Sequence, residues 1–275
     1  MRAARSGSGL PSPPMIPAAR RARVLEILQR DGAASIQQVA DEIGISVSTA
    51  RRDLDYLTRA GQLERSHGGA SLRTGSRTAF EPAASVTHGT ARAAKIAIGR
   101  HAASLIEDGQ SVILDSSSTV LEAALALAKR DLPLTVVTND LRIAMALHAR
   151  PDVQLLMPGG QIRAGSYTLM GAAAQDLVHG LRVDVAMLGA HGLAGLRLSE
   201  TSLDIASIKR GFAAAASRVV LLADSSKFTI SAFCEICPIG WVHEIVCDDG
   251  LSLEDRSGLE RQGVQVTLVP AGSSK

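Results

Sequence analysis

The 275-residue sequence predicts two units: a small helical head closed by a hairpin, then a larger α/β domain on a mostly parallel sheet. Three observations predict this. Between residues 20 and 72, three apolar stripes of helical period are separated by short glycine-containing breaks. From about residue 91, apolar runs of strand length alternate with helical patterns. The charge is also split. Residues 1–75 hold 11 arginines, no lysine and 7 acidic residues, whereas the remainder is slightly acidic and the whole chain is +2. A basic head on an acidic body suits contact with phosphates.

Composition excludes several classes. The chain is 46% hydrophobic and 20% charged, an ordinary globular balance. No apolar run reaches the roughly 18 residues that span a bilayer. Arg2 and Arg5 lead into Gly9-Leu10-Pro11-Ser12-Pro13-Pro14 rather than an apolar stretch, so no signal peptide and a cytoplasmic location are expected. Residues 1–19 are expected to be a disordered arm, residues 73–90 a linker and residues 91–270 the second domain.

In the head, Arg20–Arg30 carries a helical stripe of Val24, Leu25, Ile27 and Leu28, stopped at Asp31-Gly32. Ser35 with Gln38 reads as a capping box for a second helix, which Gly44 ends. Ser46 caps a third helix whose core face is Val47, Ala50, Leu54 and Leu57. Its other face holds Ser48, Thr49, Arg51, Arg52, Asp55 and Arg59. Two helices joined by a short glycine turn form a helix-turn-helix, and the second enters the major groove. Ser46, Ser48, Thr49, Arg51 and Arg52 are therefore the expected DNA contacts, arginine being able to pair bidentately with guanine. Asp53 would be repelled by phosphate and is expected to orient an arginine or to cap locally. The run Leu63–Leu72 around Gly68-Gly69 reads as a wing, with Arg65, His67 and Gly68 along the DNA backbone.

In the second domain, five apolar runs end in polar or glycine residues: Ser111–Asp115, Leu134–Asn139, Val153–Met157, Val183–Leu188 and Arg218–Asp224. This repetition predicts a Rossmann-like α/β fold whose ligand lies beyond the carboxyl ends of the strands. The expected ligand residues are Asp115, Ser116, Ser117, Ser118, Thr119, Thr138, Asn139, Gly160, Arg163, Gly189, His191, Asp224 and Lys227. The hydroxyls and free N–H groups after the first strand suit an anion, Arg163 and Lys227 would neutralise it, and Asp115 and Asp224 suit sugar hydroxyls. Cys234-Glu235-Ile236-Cys237 with His243 and Cys247 has the residue types of a zinc set, but buried thiols flanking and ending strands explain it better, so neither metal nor cofactor is expected.

These segments resemble one family. Val47-Ser48-Thr49-Ala50-Arg51-Arg52-Asp53-Leu54 and Leu63-Glu64-Arg65-Ser66-His67-Gly68-Gly69-Ala70 resemble the DNA-binding signature of the DeoR family of bacterial transcription regulators. Leu114–Thr119, Val136–Asn139, Pro158–Arg163, Leu188–Gly192 and Leu222–Phe228 are similar, in order, to that family's effector domain. The resemblance implies a repressor of carbohydrate-use genes, an effector that is a phosphorylated sugar or related metabolite, homo-oligomers on operator DNA, and a sensor fold similar to sugar-phosphate isomerases. Three departures stand out. His191 occupies a position that is Asp in many members. Ser85-Val86-Thr87-His88 lacks an arginine expected before Lys95. Leu203–Lys209 has fewer acids than is common. The competing readings are a sugar-phosphate isomerase using Asp115, Asp224, His191 and Lys227, and a regulator that takes no ligand.

Overall fold

The computed structural model describes residues 16–31, 33–60, 62–66, 68–72 and 91–271. The chain divides into two compact units, Met1–Thr74 and Gly75–Lys275. No helix among the described residues is long and apolar enough to cross a membrane.

In the first unit, α1 (Pro17–Asp31) begins inside the segment expected to be arm. Proline explains the earlier start: its fixed φ suits the first helical position, where a missing N–H costs nothing. The remainder of the expected arm and the linker at 73–90 lie outside the described residues. A short strand, β1 (Ala33–Ser35), precedes α2 (Ile36–Ile43) and carries too few residues to show a period. It pairs antiparallel with β3 (Gly69–Leu72), which pairs with β2 (Leu63–Ser66). A Cβ on Gly69 would stand 2.3 Å from the Ala34 carbonyl oxygen, so β1 approaches this closely only over glycine. Ser35 Oγ accepts the Gln38 N–H at 3.0 Å, but Gln38 Nε2 donates to Asp31 at 3.0 Å, so only half of the expected capping box forms. Gly44 ends α2 with the left-handed backbone expected (φ 71°). Then α3 (Val47–Arg59) packs against α1, with Ala50, Leu54 and Leu57 of the one and Val24, Ile27 and Leu28 of the other all buried.

The second unit opens with α4 (Arg92–Ser104), β4 (Ser111–Leu114), α5 (Ser118–Leu127), β5 (Leu134–Thr138), α6 (Leu141–Leu147) and β6 (Val153–Leu156). The hairpin β7 (Gln161–Ile162) and β8 (Leu169–Met170) leads to α7 (Ala172–His179) and β9 (Val183–Leu188). There follow β10 (Gly192–Ala194), β11 (Arg197–Glu200), α8 (Leu203–Ala215), β12 (Ala216–Leu222), β13 (Cys234–Pro238), β14 (Glu244–Asp248), α9 (Leu253–Glu260) and β15 (Gln265–Val269). Seven strands form one parallel sheet in the order β15-β14-β12-β9-β4-β5-β6. The apolar runs are continuous because both faces are covered. Ile113, Val137, Ala186 and Leu221 pack into one core layer, and their neighbours Val112, Val136, Val185 and Val220 into the other. Strands β10, β11 and β13 form a separate antiparallel flap, with β13 at its edge. Cys234 and Cys237 lie within β13 rather than flanking it, and burial raises both thiols and that of Cys247.

From β4 the chain winds outward through β5 to β6, and from β9 it winds the opposite way through β12 to β14 and β15. The order therefore reverses between β4 and β9, and a crevice opens above the carboxyl ends of these two strands. Helix α4 buttresses the first turn beyond them: a Cβ on Gly99 would meet the Ala123 and Glu122 backbone at 2.6 Å, so α4 and α5 touch backbone to backbone. Gly99→Ala is expected to force these helices apart and cost about 1–3 kcal/mol, read by urea unfolding.

Candidate functional site

The cleft above the β4–β9 reversal is lined by Ser116, Ser117, Ser118, Thr119, Arg142, Ser166, Thr168, Ala190, His191, Glu200, Lys209, Leu222, Ala223 and Lys227. Its floor is a buried charge cluster. Lys209, on α8, places Nζ 2.8 Å from Asp115 Oδ2, 3.2 Å from Glu200 Oε2 and 2.8 Å from the Gly189 carbonyl oxygen. Its three donors thus meet three acceptors. Asp115 Oδ2 also accepts the Gly189 N–H at 3.0 Å, joining the ends of β4 and β9, and Glu200 Oε1 accepts the Thr201 N–H at 2.9 Å. Burial opposes charge on Lys209, but Asp115 and Glu200 outweigh it and raise its pKa. Burial also works against the Glu200 carboxylate, yet Lys209 and the Thr201 N–H bring its pKa below the usual value, whereas burial wins at Asp115 and raises it.

Above this floor, Ser117 caps α5, its Oγ accepting the Thr119 N–H at 3.2 Å. Gly189 must lack a side chain here, because a Cβ would stand 2.2 Å from Ser117 Oγ. On one side, Arg142 binds Asp140 through Nε (3.1 Å) and Nη2 (2.6 Å) and lies over the Tyr167 ring. On the other stands Lys227, whose ammonium has no hydrogen bond or ion pair among the described residues. Burial and the neighbouring Lys227 lower the His191 imidazole to about 4, so it is neutral at pH 7.

Of the expected ligand residues, Ser116, Ser117, Ser118, Thr119, His191 and Lys227 come together in the cleft. Asp115, Thr138, Asn139, Gly189 and Asp224 do not line it; they support those that do. Thr138 Oγ1 accepts the Asp140 N–H at 3.1 Å. Asn139 Oδ1 accepts the Ser116 N–H at 3.0 Å while its Nδ2 donates to the Leu169 carbonyl at 3.2 Å, tying the start of the hydroxyl run to β8. Asp224 caps the turn that carries Lys227, accepting the Ser226 N–H at 3.2 Å. Asp115 bonds within the protein through Oδ2 and Asp224 through Oδ1, while Asp115 Oδ1 is buried without a partner among the described residues; neither carboxylate lines the cleft, where the sequence expectation had them meeting sugar hydroxyls. Gly160 packs against the Met170 carbonyl, and Arg163 lies near His191 without lining the cleft. The sequence reading missed Arg142, Ser166, Thr168, Glu200 and Lys209. One signal was present: Ile205, Lys209 and Phe212 form a helical stripe, and a lysine inside a buried stripe needs a carboxylate.

In the first unit, Ser46 Oγ accepts the Thr49 N–H at 3.2 Å and lies 3.0 Å from Ser48 Oγ, closing the first turn of α3. Arg51 and Arg52 are exposed and make no ion pair among the described residues. Asp53 is buried and receives Arg20 and Arg21, the latter at 3.0 Å and stacked over Tyr56, so it does orient arginines. Arg65 forms an ion pair with Asp55 of α3, which fastens β2 to that helix instead of leaving the guanidinium open. Gly68 makes the wing turn with φ 83°; His67 and Ser85–His88 lie outside the described residues.

Lys209→Met would strand two buried carboxylates and is expected to cost about 3–5 kcal/mol by urea unfolding, with Asp115→Asn added to it restoring part of the loss. His191 has a depressed folded pKa, so between about 6.5 and about 4 the unfolded chain binds a proton that the folded chain does not. Its contribution is therefore present at pH 7 and is lost as the pH falls through that window. His191→Gln should lose about 1–2 kcal/mol less than wild type between pH 7 and pH 5.

Comparison with known proteins agrees with this anatomy. Residues 20–75 match the DeoR-like helix-turn-helix domain and residues 90–249 the DeoR C-terminal sensor domain. The uncharacterized HTH-type transcriptional regulator YgbI of Escherichia coli (strain K12) is 32% identical over 254 residues, covering 92% of this chain and 98% of that one. The transcriptional repressor AccR of Agrobacterium fabrum is 34% identical over 235 residues, covering 84% and 89%. Among solved structures, ribose 5-phosphate isomerase A of Methanocaldococcus jannaschii overlaps 49% of this chain and 53% of its own at 18% identity, with a TM-score of 0.37. Two domain matches in the order helix-turn-helix then sensor, and relatives aligned along nearly their whole length, make one assignment: the chain belongs to the DeoR family of transcriptional regulators.

Proposed function

We propose that this regulator is a cytoplasmic repressor, that α3 and the wing carry it to operator DNA as a homo-oligomer, and that a phosphorylated sugar in the β4–β9 cleft changes its hold on that DNA. The observation that carries the ligand half is the run Ser116–Thr119, four consecutive hydroxyl side chains lining the cleft at the N-terminus of α5, with the Arg142 guanidinium lining the same cleft. A helix N-terminus, hydroxyl donors and a cation together suit a phosphate. For the DNA half, the support is the pair Arg51 and Arg52, exposed on the helix that follows the Gly44 turn. AccR, which is a repressor by name, supports the direction of control. The effector acts by binding one arrangement of the oligomer more tightly than another, because equal affinity for both would shift nothing.

A mobility-shift titration on the DNA upstream of the gene tests both halves. Arg51→Ala and Arg52→Ala are each expected to weaken binding by about 1–3 kcal/mol, and wild-type affinity should fall steeply with salt. Sugar phosphates should shift the wild-type midpoint. Unchanged binding in the double arginine variant sinks the DNA half, and a midpoint indifferent to every sugar phosphate sinks the ligand half.

A further inference from the structure

The cleft has two poles, and the structure divides its charges between them. The first pole lies above β4 and β5: Ser117, Ser118 and Thr119 at the start of α5, with Ser166, Thr168 and Arg142 beside them. Arg142 spends Nε and Nη2 on Asp140 and keeps Nη1 without a protein acceptor among the described residues. The second pole lies above β9 and β12, where His191 and Lys227 stand. In the sheet order β5-β4-β9-β12, the first pole stands above one pair of strands and the second above the next pair. Each pole has a cation of its own, Arg142 at the first and Lys227 at the second.

The second pole is electrically distinctive. Lys209 is no part of its free charge, because all three of its donors are consumed by Asp115, Glu200 and the Gly189 carbonyl. Glu200 is likewise occupied, by Lys209 on one oxygen and by Thr201 on the other. What remains facing the cleft is the Lys227 ammonium, without a partner among the described residues, and the ring of His191; the nearby Glu200 carboxylate is already paired with Lys209. A neutral imidazole offers one N–H and the ammonium three, so together they can hydrogen-bond an anion.

We propose, building on the reading of this cleft as the effector site, that the effector is a phosphorylated sugar acid: its phosphate at Ser117–Thr119 and Arg142, its carboxylate at Lys227 and His191. The carbon chain of the sugar acid joins the two poles. Lys227 and His191 are then the residues that select an acid over the matching alcohol or aldehyde.

Calorimetric titration of the full chain with matched pairs tests this. Each pair has one carbon count and one phosphate and differs only at C1: 4-phosphoerythronate with erythritol 4-phosphate, 5-phosphoribonate with ribitol 5-phosphate, and 6-phosphogluconate with glucitol 6-phosphate. In at least one pair the acid should bind about 10- to 100-fold tighter, the range of a hydrogen bond to a charged group. Lys227→Met should bring that ratio close to one while the alcohol's affinity is kept, Lys227→Arg should preserve the ratio, and His191→Asp should reverse it. Thermal unfolding of each variant confirms that it is folded. Acid and alcohol binding equally, the alcohol binding tighter, or a preference that survives Lys227→Met overturns the proposal and leaves the phosphorylated-sugar reading standing. Failure of all six compounds to bind overturns the proposal, and that reading falls with it if the wider sugar-phosphate titration on DNA is also flat.

Discussion

The sensor unit is organised around one buried cation. Lys209 sits in the apolar stripe of α8, where an unpaired ammonium would be very costly, and three acceptors drawn from separate parts of the fold make its position tenable. Asp115 follows β4, the Gly189 carbonyl follows β9, and Glu200 ends β11 of the antiparallel flap. Satisfying Lys209 therefore fixes the two strands at the topological reversal, the helix that covers them and the flap beside them. The contact between Gly189 and Ser117 is a consequence: with β4 and β9 held this closely, only glycine fits beneath the first turn of α5.

This arrangement separates support from recognition. The carboxylates that look most chemical in the sequence are turned inward, Asp115 to Lys209 and Asp224 to its own turn. The cleft above them is lined mainly by short hydroxyl side chains, one imidazole and the cations Arg142 and Lys227. The same division appears in the first unit. Asp53 gathers Arg20 and Arg21, and Asp55 holds Arg65, so those acids position the helices and the wing while Arg51 and Arg52 stay exposed. In both units, acidic residues next to the functional surface act on neighbouring cations.

The parallel sheet was legible because strands buried on both faces leave continuous apolar runs, and Val183–Leu188 shows this cleanly. Helix ends were legible where one residue does the work locally, as at Ser46 and Gly44. The flap was not, since three- and four-residue strands such as Gly192–Ala194 carry no usable period. The cleft was half legible. Its hydroxyl run is contiguous in sequence, and so stood out; Arg142, Glu200 and Lys209 reach it from separate elements, and only folding brings them together. Asn139 shows the opposite error: a polar residue at a strand end looks like a ligand contact, yet its amide is used to clamp Ser116 to β8.

One small feature of the head has a mechanical meaning. Ser35 is at once the last residue of β1 and the cap of α2, and β1 is hydrogen-bonded to the strand that forms one side of the wing. No slack residue separates the wing sheet from the helix-turn-helix. A push on the wing is transmitted through the β1 ladder to the first turn of α2, and through the Asp55–Arg65 pair to α3 as well. The head is thus geared as one solid piece, and a signal that alters its grip on DNA has to swing or release the piece as a whole.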